Sequence, residues 1–321
     1  MSTTTLDAPA TNPVAPQPTS SPLAVALRTV GIALAAALVA WAAVQAADWA
    51  ASSEGEERVT FGAAATVELV ADGSVTVRAG DSGSVEVRRE WREGLLPVSF
   101  DAVESGGRLV VSHDCAWFST ACHAGLDVTL PADANVVVRA SDGRIEVAGI
   151  AGDLAARTGS GSIAIERVGG DVVARTGSGK VVALGVDGDT ELRTGSGSIE
   201  AGQIGGSLEA HTGSGSIEVD QITGSLEARS GSGRIEVRDV GGEAFAHTSS
   251  GNVFVAAVMS NIDAHTSSGR VTVHGNGTPV ALAISTSSGR QTVEAPTDPA
   301  APVKVKIRSS SGAVEYLGPL S

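Results

Sequence analysis

Apolar and polar residues alternate with period two along most of this chain, and from Ser141 to Gly269 the alternation restarts every 18 residues. Each restart has one form: a Thr or Ser, two small residues, a Gly, then an apolar–polar–apolar triplet. The closing glycine falls at Gly143, Gly161, Gly179, Gly197, Gly215, Gly233, Gly251 and Gly269, with looser copies at Gly289 and Gly312. Period-two alternation predicts short strands with one buried face, and a fixed longer period predicts stacked supersecondary units.

The repeat from Gly197 to Ser214 shows the unit. Ile199, Ala201 and Ile204 fall on one side, Gly205-Gly206 turns the chain, and Leu208, Ala210 and Thr212 return to that side. Two strands and two glycine turns therefore make each 18-residue rung. Glycine is expected to supply positive φ at the turns, and the neighbouring Ser or Thr a local hydrogen bond. Stacking in register aligns Ile145, Ile163, Val181, Ile199, Ile217, Ile235, Val253 and Val271, opposite an alanine ladder from Ala156 to Ala264. So thin an interior suits a chain with five Phe, four Trp and one Tyr against 40 Gly. The predicted fold class is all-β: a single-stranded β-solenoid (β-helix or β-roll-like) with 18-residue, two-strand rungs, preceded by one transmembrane helix. A meander or barrel of the same strands is the competing architecture, and a barrel needs bulkier interior side chains. The last strand, Ala313 to Leu317, is expected to leave an open edge.

The pattern changes towards the N-terminus. Residues 1–22 are rich in Thr, Pro, Ala and Ser without Lys or Arg, which predicts a disordered cytoplasmic tail. Residues 23–47 are apolar apart from Arg28, Thr29 and Gln45, which predicts a transmembrane signal anchor. Arg28 before this span, and Asp48, Glu54, Glu56 and Glu57 after it, predict a single-pass cell-membrane protein, N-terminus cytoplasmic and C-terminal domain extracytoplasmic. Cleavage as a signal peptide is the alternative, since Val44-Gln45-Ala46 has small residues at suitable spacing. Residues 48–58 read as a linker, 59–135 as an irregular β cap holding Trp91, Phe100, Trp117 and Phe118, and 136–321 as the regular solenoid.

A net charge of -14 argues against a nucleic-acid partner. Cys115 and Cys122 lie between His113 and His123, a set zinc could use. Outside the cytoplasm oxidation favours a disulfide between them, so neither a metal nor a cofactor is expected. Gly177-Ser178-Gly179-Lys180 looks like a fragment of a phosphate-binding loop, but Val181 stands where that loop needs Ser or Thr. Asp153, Asp171 and Asp189 stack beside the second turn and give way to Ser207 and Ser225, a solvated acidic edge with a single cation as the alternative.

One outward phase is basic: Arg157, Arg175, Arg193, His211, Arg229, His247 and His265. Glu191, Glu209, Glu227 and Asp263 flank it, so a charge-balanced sheet face accounts for it. The sharper expectation is an interaction stripe for anionic cell-wall polymer or a surface protein, tuned by histidine protonation.

The phrases Thr194-Gly195-Ser196-Gly197-Ser198-Ile199-Glu200 and Thr212-Gly213-Ser214-Gly215-Ser216-Ile217-Glu218 resemble the bacterial "putative adhesin" β-strand repeat family, a domain of unknown function often found behind one membrane helix. The lead-in Leu126-Asp127-Val128-Thr129-Leu130-Pro131 fits as well, and the resemblance covers about residues 60–316. It implies a β-solenoid in the envelope and supplies no catalytic residues. The expected function is a non-catalytic structural, adhesion or interaction module of the bacterial cell envelope. A sensor or regulatory partner of another membrane protein is the alternative, and a carbohydrate-active β-helix enzyme would need loops that rungs of constant length lack.

Overall fold

The computed structural model describes residues 22–95, 97–115 and 122–320. The expected cytoplasmic tail, except residue 22, lies outside them, as do Trp117 and Phe118. The chain starts with a helix, Pro22–Ala50, of which Ala26–Ala50 is long and apolar enough to cross a membrane. Asp48 ties the end of this helix to the β region by accepting the Leu95 N–H at 2.8 Å.

Residues 48–58 are not a linker. Ser53–Phe61 is a strand paired antiparallel with Val85–Glu93. The acidic run pairs because the register sets carboxylates among arginines: Arg58 meets Glu86 at 2.8 Å and Arg88 meets Glu56 at 2.9 Å, with Arg92 on Glu54. Opposite charges across two strands favour that register.

The regular region is a two-sheet parallel solenoid. Each strand pairs in parallel with the strand one repeat on, as in Ile199↔Ile217 and Leu208↔Leu226. A meander would make neighbouring strands antiparallel. The Ile/Val ladder and the alanine ladder are both buried between the two sheets, which among the described residues have 14 and 13 strands. A third buried ladder is polar. Thr158, Thr176, Thr194, Thr212, Ser230, Thr248 and Thr266 each donate to a glycine carbonyl of the preceding rung, as Thr212 does to Gly197 at 2.8 Å. Thr212 also accepts the Gly215 N–H at 3.1 Å, so the buried hydroxyl is satisfied on both counts.

The expected role of the turn glycines needs correcting. Of the phrase glycines, positive φ occurs at Gly269 alone, at the border of the left-handed region. The left-handed conformation belongs to another file: Gly149, Arg167, Gly185, Gln203, Gln221, Asp239 and Ala257. The phrase glycines are required by closeness instead. A Cβ on Gly215 would lie 1.8 Å from the Gly197 carbonyl oxygen, so the turns stack backbone on backbone.

Both ends of the stack exchange two rungs. At the start, Thr66–Ala71 lies between Arg108–Asp114 and Asn135–Ala140, so the first rung in sequence is the inner one. At the finish, Lys304–Ser311 and Val314–Leu317 insert against Ile262–Ser268 and Val271–His274, and Ala281–Thr286 and Gln291–Val293 form the outer rung. Gly312 therefore stacks on Gly269, and Gly289 on Gly312. The outermost strands at this end are Ala281–Thr286, whose start is bridged on its free side by Thr297 at Val280, and Gln291–Val293, not Ala313–Leu317. Size accounts for the exchange: Val305, Ile307, Val314 and Tyr316 become fully buried in the inner rung, whereas Leu282 and Ile284 are only partly covered outside it.

Candidate interaction face

The seven residues of the predicted stripe form one file on the outer face of the 13-stranded sheet, with Arg157, Arg175, Arg193, His211, Arg229, His247 and His265 in direct register. The structure lengthens the file at both ends. Arg139 pairs with Arg157, and Arg308 with His265. Arg139 was legible by counting 18 residues back from Arg157. Arg308 was not, because the rung exchange sets it 43 residues beyond His265.

Carboxylates neutralise most of the file. Glu191 lies 2.7 Å from both Arg175 and Arg193, Glu209 is 2.7 Å from Arg193, and Asp263 is 2.9 Å from Arg308. Glu227 pairs with Arg229. Towards the N-terminal end the acidic file stops: Val137, Ala155 and Val173 occupy its place beside Arg139, Arg157 and Arg175. Arg157 has no ion pair among the described residues. With its two neighbours and the Thr158-Gly159 and Thr176-Gly177 turns it lines a shallow basic hollow of about 340 Å³.

Sequence reasoning overlooked Glu68. This buried carboxylate, from the exchanged first rung, is paired with both Arg108 and Arg139. The Arg108 side-chain hydrogen bond, with the charge of Arg139, holds its carboxyl below the usual range despite burial. Only the exchange brings a Glu 71 residues distant beside Arg139, so no local signal marked it.

At the far end of the file two histidines separate Arg229 from Arg308. His247 and His265 meet edge to face with centroids 4.6 Å apart, and Phe245 packs against His247. Burial, then the charges of His265, Arg229 and Arg308, push the His247 pKa down, against Asp263. Protonation is thus favoured in the unfolded chain. The resulting stability is complete above the ordinary histidine range and falls as pH drops through the folded pKa. His113, whose pKa burial also lowers, acts with the same sign. The melting temperature is expected to fall between pH 7.5 and 5.5, and His247→Gln to reduce that fall. An unchanged pH slope in this variant would show that His247 titrates freely.

Beside the paired part of the file runs a groove of about 840 Å³, with Asp171, Asp189, Glu243 and Phe245 along it and Lys304 and Lys306 at one end. The stacked aspartates have a structural use. Asp153 Oδ1 accepts the Asp171 N–H at 3.0 Å, Asp171 Oδ1 that of Asp189 at 2.9 Å, and Asp189 Oδ1 that of Ser207 at 2.7 Å. One oxygen of each is committed to linking rungs, which leaves the cation alternative a poor set of ligands.

The set His113, Cys115, Cys122 and His123 is not arranged around a common centre. The structure joins Cys115 to Cys122 with Cα atoms 5.9 Å apart. His113 points into the cap, its Nδ1 3.1 Å from the Gly125 carbonyl oxygen and its ring edge-on to Trp91 and Phe100. Among the described residues no three His, Cys, Asp or Glu side chains gather as metal ligands.

A family model described as Toastrack DUF4097 matches residues 67–318, most of the chain. The chain belongs to the Toastrack DUF4097 family. Its solenoid of parallel rungs is the Toastrack architecture, and the match takes in the repeat phrases around Thr194 and Thr212 that suggested an adhesin-type repeat domain. No curated protein matches this Toastrack chain. Among solved structures it is similar to a "putative adhesin" from Parabacteroides merdae at 13% identity and TM-score 0.38, over 83% of this chain and 96% of that one. It is also similar to a "putative adhesin" from Parabacteroides distasonis at 11% identity and TM-score 0.37, over 82% and 97% of the two chains. A "putative lipid binding protein" from Parabacteroides distasonis matches at 12% identity and TM-score 0.32, over 82% and 96%. At these scores the likeness carries no argument about what the Toastrack chain binds.

Proposed function

We propose that this chain is a non-catalytic module of the bacterial cell envelope, held at the membrane by its N-terminal helix with the solenoid on the exported side. Its outer sheet face engages an anionic envelope polymer. The observation that supports this reading is the break in charge compensation at Arg157: Arg139 is held by Glu68 and Arg175 shares Glu191 with Arg193, whereas Ala155 and Val173 leave Arg157 without a carboxylate. Arginines one rung apart sit about 4.8 Å from each other, so an unpaired member costs repulsion that a bound polyanion relieves. The constant 18-residue rungs support a non-catalytic role, since they build no loops around a cleft.

The test is titration of the full chain, in micelles of a non-ionic detergent, with poly(glycerol phosphate). Binding is expected to weaken as salt rises, because bound phosphates release counterions. Arg157→Ala with Arg175→Ala is expected to weaken it about tenfold or more. Arg193→Ala, from the compensated part of the file, is expected to leave it within about twofold. No binding at low salt, or equal loss from all three substitutions, would refute the assignment.

A further inference from the structure

The outermost strands at the two ends of the stack differ in charge. At the N-terminal end Ser53–Phe61 carries Glu54, Glu56, Glu57 and Arg58, and Ser99–Ser105 carries Asp101 and Glu104. At the C-terminal end Ala281–Thr286 and Gln291–Val293 carry no charge. Charged side chains are the usual guard of an open sheet edge, because its unpaired N–H and C=O groups template further pairing. The Gln291–Val293 edge lacks that guard, whereas beside the start of Ala281–Thr286 the chain folds back, with Thr297 bridged to Val280 and the Asp298 N–H donated to the Val280 carbonyl at 2.9 Å. Both strands expose apolar surface. Val293 is 47% exposed, and Leu282 and Ile284 are only partly covered.

Two charges do lie just outside the shorter edge strand: Arg290 before it and Glu294 after it. Both are exposed, and neither is in an ion pair among the described residues. They are symmetric about Thr292, which shares the outward face with them because Thr292 pairs with Glu315 while Gln291 and Val293 pair with the buried Val314 and Tyr316. An antiparallel copy of the same strand, centred on Thr292, would therefore set Arg290 opposite the Glu294 of the second copy, and Glu294 opposite its Arg290.

We propose that the C-terminal end of the stack docks a second copy of this chain, edge to edge along Gln291–Val293, about a two-fold axis midway between the two Thr292 residues. Such an axis runs perpendicular to the sheet that ends in Gln291–Val293, so this strand meets its own counterpart and that sheet continues across the junction. Main-chain hydrogen bonds supply the pairing, Val293 is covered, and two reciprocal ion pairs set the register. A chain of net charge -14 otherwise repels its copies, so the uncharged edge with its self-complementary flanks is where two can meet. The N-terminal end cannot pair in this way, given its charged edges and the helix tied there through Asp48 and Leu95. Because the contact is isologous it closes at two copies, with the two N-terminal helices at opposite ends.

Sedimentation velocity of the full chain in non-ionic detergent, over a range of protein concentration, tests this. The wild type is expected to show a monomer–dimer equilibrium. Glu294→Arg sets like charges opposite at two places and is expected to weaken association about tenfold or more. Arg290→Glu combined with Glu294→Arg restores opposite charges and is expected to recover it. Residues paired across antiparallel strands have Cα atoms about 4.5–5.5 Å apart, within disulfide reach. Thr292→Cys is therefore expected to form a covalent dimer under mild oxidation, while Thr223→Cys, on an exposed turn in mid-stack, stays monomeric. The proposal is overturned if the wild type is monomeric at every concentration. It is equally overturned if Glu294→Arg leaves association unchanged, as it would if the helix drove it, or if the charge swap fails to restore it. Matching far-UV circular dichroism of all variants separates these outcomes from misfolding.

Discussion

Gly215→Ala is expected to disrupt the middle of the stack, at a cost of about 3 kcal/mol or more. The added Cβ would lie 1.8 Å from the Gly197 carbonyl oxygen and 2.4 Å from its carbon, and this neighbour is backbone that cannot rotate away. Relief requires the two rungs to separate, yet their strands are hydrogen-bonded at the normal sheet spacing on both sides of the turn. In a stack where each rung contacts only its neighbours, such a break divides the molecule into two arrays. Limited proteolysis of the variant is expected to cut near residue 215 and leave a fragment on either side, and urea unfolding is expected to lose its single sharp transition. Gly62→Ala is the matched control, since its Cβ would meet nothing within 4 Å. A Gly215→Ala protein within about 0.5 kcal/mol of wild type would mean that the turns have slack.

Thr212→Val keeps the shape of the side chain and removes the hydroxyl from a site with no solvent exposure. The Gly197 carbonyl and the Gly215 N–H both lose the partner that Thr212 provides at 2.8 and 3.1 Å. Each buried group left unsatisfied costs about 1–3 kcal/mol, so the variant is expected to lose about 2–4 kcal/mol in denaturant unfolding. Thr212→Ser is expected to retain most of the stability. The fold contains its own precedent: Ser230 in the same ladder makes both bonds, to the Gly215 carbonyl at 2.9 Å and from the Gly233 N–H at 2.8 Å. If valine and serine cost the same, the hydroxyl bridge would not be the source of the loss.

The two variants mark how far the repeat phrase could be read. Its alternation assigned Ile199, Ala201, Leu208 and Ala210 to the interior correctly, because a strand with one dry face must place apolar residues at every second position. The same reading explained Gly215 by backbone freedom and Thr212 by a local turn. Thr212 does make that local bond, with the Gly215 N–H, but Gly215 and the second bond of Thr212, to the Gly197 carbonyl, serve the contact between rungs, which no single repeat displays. The basic file was legible in the regular region, where equal spacing in sequence means adjacency in space. Its pairing was not: Glu191 bridges Arg175 and Arg193 from neighbouring rungs, while Arg157 is left alone because Ala155 and Val173 stand where the bridging acids would be.

By itself, then, the sequence determined the period, the two strands of each rung, the inward and outward phases and the apolar N-terminal helix. Each follows from local periodicity, which burial imposes on the nearest residues. The tertiary structure alone decided the order of rungs at the two ends. It thereby decided the partners of Glu68, the extension of the basic file to Arg308, and which strands are left as edges. Rung order is a competition between whole rungs for the more buried place, settled by summed side-chain area. Every rung offers the same backbone pattern to its neighbours, so periodicity cannot distinguish which of two successive rungs docks first.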